Sequence, residues 1–265
     1  MSKVHVRGIE VAYDEAGSGP AVVLLHGYPF NRSMWGHQVE ALMPKYHVIA
    51  PDLRGHGETA VMVGPATMDE MARDVAALME TLGVSRAAVC GLSMGGYAAL
   101  SFYRLFPLRV RTLVLADTHA QADTDEARET REQQAQKALK EGMKGIVQEM
   151  LPKLLSPETF ARRPDVVARV REMMLKTKPE GAASALRGMA QRHDQTSFLT
   201  RIIAPTLVIV GRDDKITPVQ EAERMHREIG GSRLEAIEGA GHVSNLEQPE
   251  QFNRALLKFL HDMEP

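Results

Sequence analysis

A serine enclosed by glycines, at the junction of a predicted strand and a predicted helix, most constrains the fold of this chain. Residues 91–96 read Gly-Leu-Ser-Met-Gly-Gly. The apolar run 87–90 before them is typical of a short buried strand, and residues 97–103 after them have helical character. Glycines suit such a sharp turn because a Cβ would crowd the backbone. The turn lifts the Ser93 hydroxyl out of the sheet and places the next amide at a helix N-terminus, where negative charge is favoured.

Strand-like and helical segments alternate on both sides of the middle of the chain. Apolar or alternating patterns predict strands at 3–7, 9–14, 21–25, 47–50, 87–90, 112–116, 205–210 and 233–237. Helical spacing covers 67–82, which opens with a capping box at Thr67 and stops at Gly83, and also covers 249–262. This alternation predicts an α/β fold: a mostly parallel, doubly wound sheet with helices on both faces.

The texture changes in the middle of the chain. Residues 122–200 are rich in Glu, Arg, Gln, Lys, Ala and Met and contain no convincing strand. Prolines at 152, 157, 164 and 179 should divide this block into short helices. We therefore expect one α/β domain whose core comprises residues 1–118 and 201–265, with residues 119–200 inserted as a helical cap.

The charge composition limits which partners the protein could bind through its net charge. The 265 residues include 32 basic and 34 acidic side chains. This balance argues against a nucleic acid or an anionic membrane surface as a partner. The single cysteine, Cys90, allows no internal disulfide and is expected to be a small buried hydrophobe.

The expected location follows from what the sequence lacks. The N-terminal residues have no apolar region typical of a secretory signal. No apolar run approaches the ~18 residues that a bilayer span requires. We therefore expect a cytoplasmic protein.

A serine hydroxyl needs a base within hydrogen-bond distance, and the base needs an orienting acid, before it can act as a nucleophile. Two acids, Asp213 and Asp214, lie in the loop that follows the predicted strand 205–210, and His242 lies in the loop that follows the strand 233–237. These loops lie at the carboxyl ends of strands, where α/β sheets place their ligand sites. His226, in contrast, falls within a predicted helix.

Five segments in this order resemble the α/β-hydrolase superfamily, in particular its small bacterial carboxylesterases, 3-oxoadipate enol-lactonases and cofactor-free haloperoxidases. They are His26-Gly27-x-Pro29, the Pro-Asp-Leu-Arg-Gly-His-Gly of 51–57, the glycine–serine stretch 91–96, Asp214-x-x-x-Pro218 and Gly241-His242. The resemblance implies the order nucleophile, acid, base, and hence Ser93, Asp214 and His242. Asp213 then becomes a solvated loop residue. Asp117 is a rival acid, because some members of the superfamily carry the acid after that strand.

The resemblance also implies an oxyanion hole and a substrate pocket. Two amides should bind the developing negative charge: that of Met94 and that of Tyr28, in the loop after the strand 21–25. His26 in this loop is expected to be structural. The candidate pocket residues are Phe30, Trp35 and Val243, and Trp35 could equally be a core residue beneath the cap.

The expected activity is cleavage of small carboxylic esters through an acyl-enzyme, without metal or cofactor. The alternatives are an enol-lactonase or other lactonase, with perhydrolysis as a side activity, and a small-molecule receptor on the same scaffold. Ser93 stands where related dehalogenases and epoxide hydrolases carry an aspartate, which excludes their chemistry. No phosphate-binding or zinc-protease motif is present. The expected partner is a small ester or lactone; the sequence predicts no oligomeric state.

Overall fold

The computed structural model describes residues 2–263, which form one eight-stranded sheet and eleven α-helices. The strands are β1 Ser2–Val6, β2 Ile9–Ala16, β3 Ala21–Leu25, β4 His47–Pro51, β5 Ala87–Leu92, β6 Val110–Ala116, β7 Thr206–Gly211 and β8 Arg233–Ile237. The helices are α1 Gly36–Leu42, α2 Met68–Thr81, α3 Met94–Leu105, α4 Asp125–Glu141, α5 Met143–Leu154, α6 Pro157–Arg162, α7 Pro164–Lys176, α8 Pro179–Ala190, α9 Val219–Glu228, α10 Ser244–Glu247 and α11 Pro249–Asp262. Short 3-10 turns cover Arg32–Trp35, Pro107–Arg109 and Thr196–Arg201.

The sheet has the strand order β1-β2-β4-β3-β5-β6-β7-β8. The pairs β1–β2 and β2–β4 are antiparallel, and every pair from β4 to β8 is parallel. The predicted mostly parallel sheet is confirmed. Because β3, β5, β6, β7 and β8 run in the same direction, the loops that follow them emerge at one edge of the sheet.

The two faces of the sheet are covered by separate hydrophobic clusters. Successive side chains of a strand point to opposite faces, and in β3 the buried Val22 and Leu24 join one cluster while Val23 and Leu25 join the other. Helices α2, α3 and α9 contribute to the second of these faces, and α1 and α11 to the first. Cys90 is buried in the core, as expected. The doubly wound α/β fold is therefore confirmed.

Helices α4 to α8 fill the chain between β6 and β7, and we call residues 119–200 the cap segment. Prolines 157, 164 and 179 stand at the first positions of α6, α7 and α8, where the missing N–H costs no helical hydrogen bond. The prediction that Pro152 also separates two helices is wrong, because Pro152 lies inside α5. The helix tolerates it near its end, since only Lys153 and Leu154 follow. The core and cap boundaries remain a prediction.

Among the helices of residues 2–263, none combines the length and apolarity needed to cross a bilayer.

Candidate active site

Ser93 occupies the sharp turn between β5 and α3. Its backbone has φ 55 and ψ −115, a conformation that residues other than glycine rarely adopt. The flanking glycines make the turn possible: a Cβ on Gly91 would collide with the Gly95 carbonyl, and one on Gly95 would collide with the carbonyl of Leu25 at the end of β3. The amides of Gly96 and Tyr97 donate to the Ser93 carbonyl, which starts the helix. The hydroxyl therefore stands at the sheet edge, as the spacing predicts.

A chain of hydrogen bonds joins Ser93, His242 and Asp214. His242 Nε2 lies 2.8 Å from Ser93 Oγ, and His242 Nδ1 lies 2.8 Å from Asp214 Oδ2. A carboxylate only accepts, so Nδ1–H donates to Asp214 and leaves Nε2 as the acceptor for the serine proton. The loops after β5, β7 and β8 thus bring together the three residues that the sequence singles out.

The loop after β7, which carries Asp214 and which we call the acid loop, also orients the Asp214 carboxylate through its own donors. Asp214 Oδ1 accepts the amides of Ile216 and Thr217 at 2.8 and 2.9 Å. The Thr217 hydroxyl donates to Oδ2 at 2.7 Å, the oxygen that also accepts from His242. Asp213 is exposed, as expected of a solvated loop residue. Sequence alone gave Thr217 no role, although it lies three residues after the acid.

Burial and the paired charges act in opposite directions at this site. The side chains of His242 and Asp214 are 2% and 0% exposed. Burial alone would lower the pKa of His242, but the adjacent Asp214 carboxylate, together with the charges of Asp117 and Glu247, raises that pKa above its ordinary value. For Asp214, burial opposes ionisation while His242 and the Thr217 donors favour it, and the pKa of the carboxyl falls. The pair therefore stabilises an imidazolium beside an ionised carboxylate.

Asp117, the rival acid, lies at the carboxyl end of β6 and is fully buried. Its Oδ1 accepts the amide of Gly211 at 2.8 Å, and its Oδ2 accepts the hydroxyl of Ser244 at 2.6 Å and the Ser244 amide at 3.2 Å. Burial and the nearby charge of Asp214 raise the pKa of Asp117. The hydrogen bond to His242 is made by Asp214, whereas Asp117 ties the end of β7 to the residues after His242.

The loop after β3 passes directly beside Ser93. A Cβ built on Gly27 would lie 3.4 Å from the Ser93 Cβ, so the backbone that leads to the Tyr28 amide adjoins Ser93. Met94 is the first residue of α3, and its amide has no carbonyl of its own helix to bond. The peptide bond between Tyr28 and Pro29 is cis. Both predicted oxyanion donors thus belong to backbone segments that flank Ser93.

The other candidate histidines have structural contacts. His26 is buried, and its Nε2 accepts the Leu53 amide at 2.9 Å; burial lowers the pKa of His26 to about 4. His226 lies on α9 with its Nδ1 2.8 Å from the Ser232 hydroxyl. His26 therefore holds the loop after β3 to the residues after β4, in agreement with its expected structural role.

The predicted pocket residues Phe30, Trp35 and Val243 are each 0% exposed and belong to one hydrophobic cluster. The Trp35 ring packs against Phe252 of α11, with 6.1 Å between ring centroids. The same cluster includes cap side chains such as Leu154. Trp35 is thus a core residue, and contact of these three side chains with substrate remains a prediction.

A basic cluster in the cap segment was not anticipated from the sequence. Arg131 and Arg192 share one carboxylate, that of Asp123, with Arg192 Nη1 2.6 Å from Asp123 Oδ1. Arg131 Nη1 has the thioether of Met189 as its acceptor, at 3.6 Å. Burial raises the pKa of the Tyr28 hydroxyl, although the charge of Arg131 opposes this shift. The hydroxyl has no hydrogen-bond partner among residues 2–263. No sequence spacing links these residues, because they lie on α4, before α4, on or after α8 and in the loop after β3.

Comparisons with known proteins find relatives along nearly the whole chain. Residues 20–249 match the family model described as alpha/beta hydrolase fold. A 3-oxoadipate enol-lactonase of Acinetobacter baylyi is 34% identical over 237 residues, which is 89% of this chain and 87% of that protein. A thermophilic esterase from Thermogutta terrifontis, solved with malate bound, superposes with a TM-score of 0.98 at 41% identity over 100% of both chains. The enol-lactonase from Burkholderia xenovorans superposes with a TM-score of 0.92 at 31% identity, over 98% of this chain and 100% of that one.

Proposed function

Because the chain belongs to the α/β hydrolase fold family, we propose that it is a serine hydrolase that cleaves small carboxylic esters through an acyl-enzyme. The hydrogen-bonded series Ser93–His242–Asp214 carries this proposal. His242 takes the serine proton as Oγ attacks the ester carbonyl. The amides of Tyr28 and Met94 bind the oxyanion.

The second half of the reaction reuses the same groups. The imidazolium, stabilised by Asp214, protonates the leaving alkoxide, and His242 then activates the water that hydrolyses the acyl group. Esters are favoured over amides because an alkoxide leaves more readily than an unprotonated amine. Relatives named esterase and enol-lactonase support hydrolysis of a carboxylic ester or lactone.

Hydrolysis of nitrophenyl butyrate tests the proposal. The wild type should turn over the ester, and Ser93→Ala and His242→Ala should each lose nearly all of this activity. His226→Ala, which removes a histidine outside the site, serves as the matched control and should keep wild-type activity. Equal rates in the wild type and Ser93→Ala would refute the esterase and favour a receptor on the same scaffold.

A second candidate, a lactone or ester whose acyl part carries a carboxylate, is favoured by the basic cluster. Arg131 and Arg192 bring two positive charges to the one carboxylate of Asp123, and the Tyr28 hydroxyl is a buried donor without a partner. A carboxylate of the substrate would balance the second positive charge of the arginine pair and accept a hydrogen bond from the Tyr28 hydroxyl. The relatives named 3-oxoadipate enol-lactonase and the malate-bound esterase agree with this candidate.

The acyl preference separates the two candidates. Nitrophenyl hemisuccinate and nitrophenyl butyrate differ chiefly in a terminal charge. The anionic candidate predicts the higher kcat/KM for the hemisuccinate and a loss of this preference by about tenfold in Arg131→Met. Arg128→Met, on the same helix and with a half-exposed side chain, is the control and should leave it unchanged. A wild-type preference for the butyrate would exclude the anionic acyl group and retain the first candidate, an esterase for uncharged acyl groups.

A further inference from the structure

The loop that carries His242 lies against the cap segment. We call residues 238–243 the histidine loop and residues 154–156, from the last residue of α5 to the start of α6, the cap junction. The His242 amide donates to the Leu154 carbonyl at 2.8 Å, and the Ser156 hydroxyl donates to the Gly239 carbonyl at 3.1 Å. A Cβ on Gly241 would lie 2.9 Å from the Leu154 oxygen, so only glycine allows this approach. The two backbones are therefore in direct contact.

One buried carboxylate bridges the two segments. Glu247, at the end of α10, is 0% exposed. Its Oε1 accepts the amide of Gly241 at 2.7 Å in the histidine loop. Its Oε2 accepts the amide of Ser156 at 2.7 Å and the hydroxyl of Thr159 at 2.6 Å, both on the cap side. All three contacts are charge-assisted hydrogen bonds, the stronger class.

Two features distinguish this bridge from ordinary core packing. The ion pairs found within residues 2–263 do not include Glu247, so N–H and O–H donors hold its charge. The donors also come from chain segments that are more than 80 residues apart, one in the cap segment and one next to the candidate base. Removing the carboxylate would leave buried donors on both sides without an acceptor.

We infer that Glu247 is a positioning residue that fastens the histidine loop to the cap junction, so that the cap segment and His242 hold their places as one unit. The inference rests on the proposed function for the role of His242 as the base. A displacement of the cap junction would break the Leu154 contact and disturb the His242–Ser93 hydrogen bond. Cap position and base alignment are thereby coupled through one side chain.

Three variants test the coupling. Glu247→Gln keeps the size but turns an NH2 group toward the donors of one segment, whichever way the amide is placed. Thr159→Val keeps the carboxylate and removes one O–H donor, so it tests the bridge if Glu247→Gln fails to fold. Glu250→Gln makes the same charge change at an exposed position in the first turn of α11 and is the matched control.

Hydrogen–deuterium exchange of the free protein gives a readout that does not depend on substrate. Glu247→Gln should speed exchange in both 154–159 and 240–243, Thr159→Val should do so to a smaller extent, and Glu250→Gln should match the wild type. Faster exchange in only one segment, or in neither, would overturn the coupling. An inactive wild type would refute the proposed function, while the exchange data would still decide whether the bridge exists.

Ester kinetics then test the positioning role. Misplacement of the base reduces stabilisation of the transition state more than it reduces binding of the substrate in the ground state. We expect kcat to fall by about tenfold in Glu247→Gln with KM within about twofold of wild type. An unchanged kcat, or a loss confined to KM, would overturn it. Assays well below the unfolding midpoint of each variant exclude simple loss of folded protein.

Discussion

Ser93 and Asp117 both have a positive φ at the ends of neighbouring strands. Their φ values are 55 and 45, and the residues before them, Leu92 and Ala116, are register partners in β5 and β6. The Ser93 amide donates to the Ala116 carbonyl at 2.9 Å, which locks the two turns together. One edge of the sheet thus holds the candidate nucleophile and a buried carboxylate, each at a residue with positive φ.

The strain at Ser93 should be measurable as stability. Conformations of this kind cost about 1–3 kcal/mol for residues other than glycine. We expect Ser93→Gly to have a free energy of unfolding about 1 kcal/mol above that of Ser93→Ala, because only glycine relaxes the turn. Urea denaturation of the two variants, both without the hydroxyl, checks this. A less stable Ser93→Gly would contradict a strained turn.

Asp117 should act through its acceptors more than through its charge. Asp117→Ala leaves the Gly211 amide and the two Ser244 donors unsatisfied and should destabilise the fold by about 3 kcal/mol. Asp117→Asn can keep the Gly211 contact and donate to the Ser244 hydroxyl, losing only the longest of the three contacts. It should stay within about 1 kcal/mol of wild type. Urea denaturation separates the two outcomes, and equal losses would argue against this role.

The acid loop should control activity through the imidazole. Asp214→Asn offers an N–H where His242 also donates, so we expect kcat to fall about 10⁴-fold, as in serine proteases with the same substitution. Thr217→Val removes one hydrogen bond to Asp214 and leaves the backbone donors, so kcat should fall about tenfold. KM should change little in both. Steady-state kinetics decide, and a Thr217→Val enzyme with wild-type kcat would show that the hydroxyl is dispensable.

The pH dependence of kcat/KM should report His242. Only the neutral imidazole accepts the serine proton, so activity should rise with pH as His242 deprotonates. Burial lowers the pKa of His242, but the neighbouring carboxylates, Asp214 foremost, raise it overall, so the midpoint should lie above the ordinary histidine value of about 6.5. Asp214→Asn should move it to lower pH. A wild-type midpoint below the ordinary value would contradict the paired carboxylate.

Much of the fold and the hydrogen-bonded series could be predicted from the sequence because local patterns encode them. The turn at Ser93 needs glycines within two residues, and the acid and base lie in the loops that follow two predicted strands. In parallel strands these loops must meet at one edge. The choice of Asp214 over Asp213 came from the family resemblance, and the hydrogen bond to His242 agrees with it.

Contacts between distant segments could not be predicted in this way. Glu247 bonds the cap junction, and Arg131 meets Arg192 and Asp123 only after the cap helices pack. The charged sequence of the cap segment predicts short helices, and the buried ion pairs of this segment leave no periodic pattern in the sequence. The prediction for Pro152 is wrong because a proline divides two helices only where one of them ends, and the local pattern does not give that position.

Covalent labelling by an organophosphonate tests the role of Ser93 most directly. Wild-type protein should lose its ester hydrolysis in proportion to incorporation, and peptide mass spectrometry should locate the phosphonyl group on Ser93. His242→Ala should be labelled far more slowly, whereas His226→Ala should be labelled at the wild-type rate. Inactivation with the label on another residue, or continued hydrolysis by protein fully labelled at Ser93, would contradict a serine nucleophile at this turn.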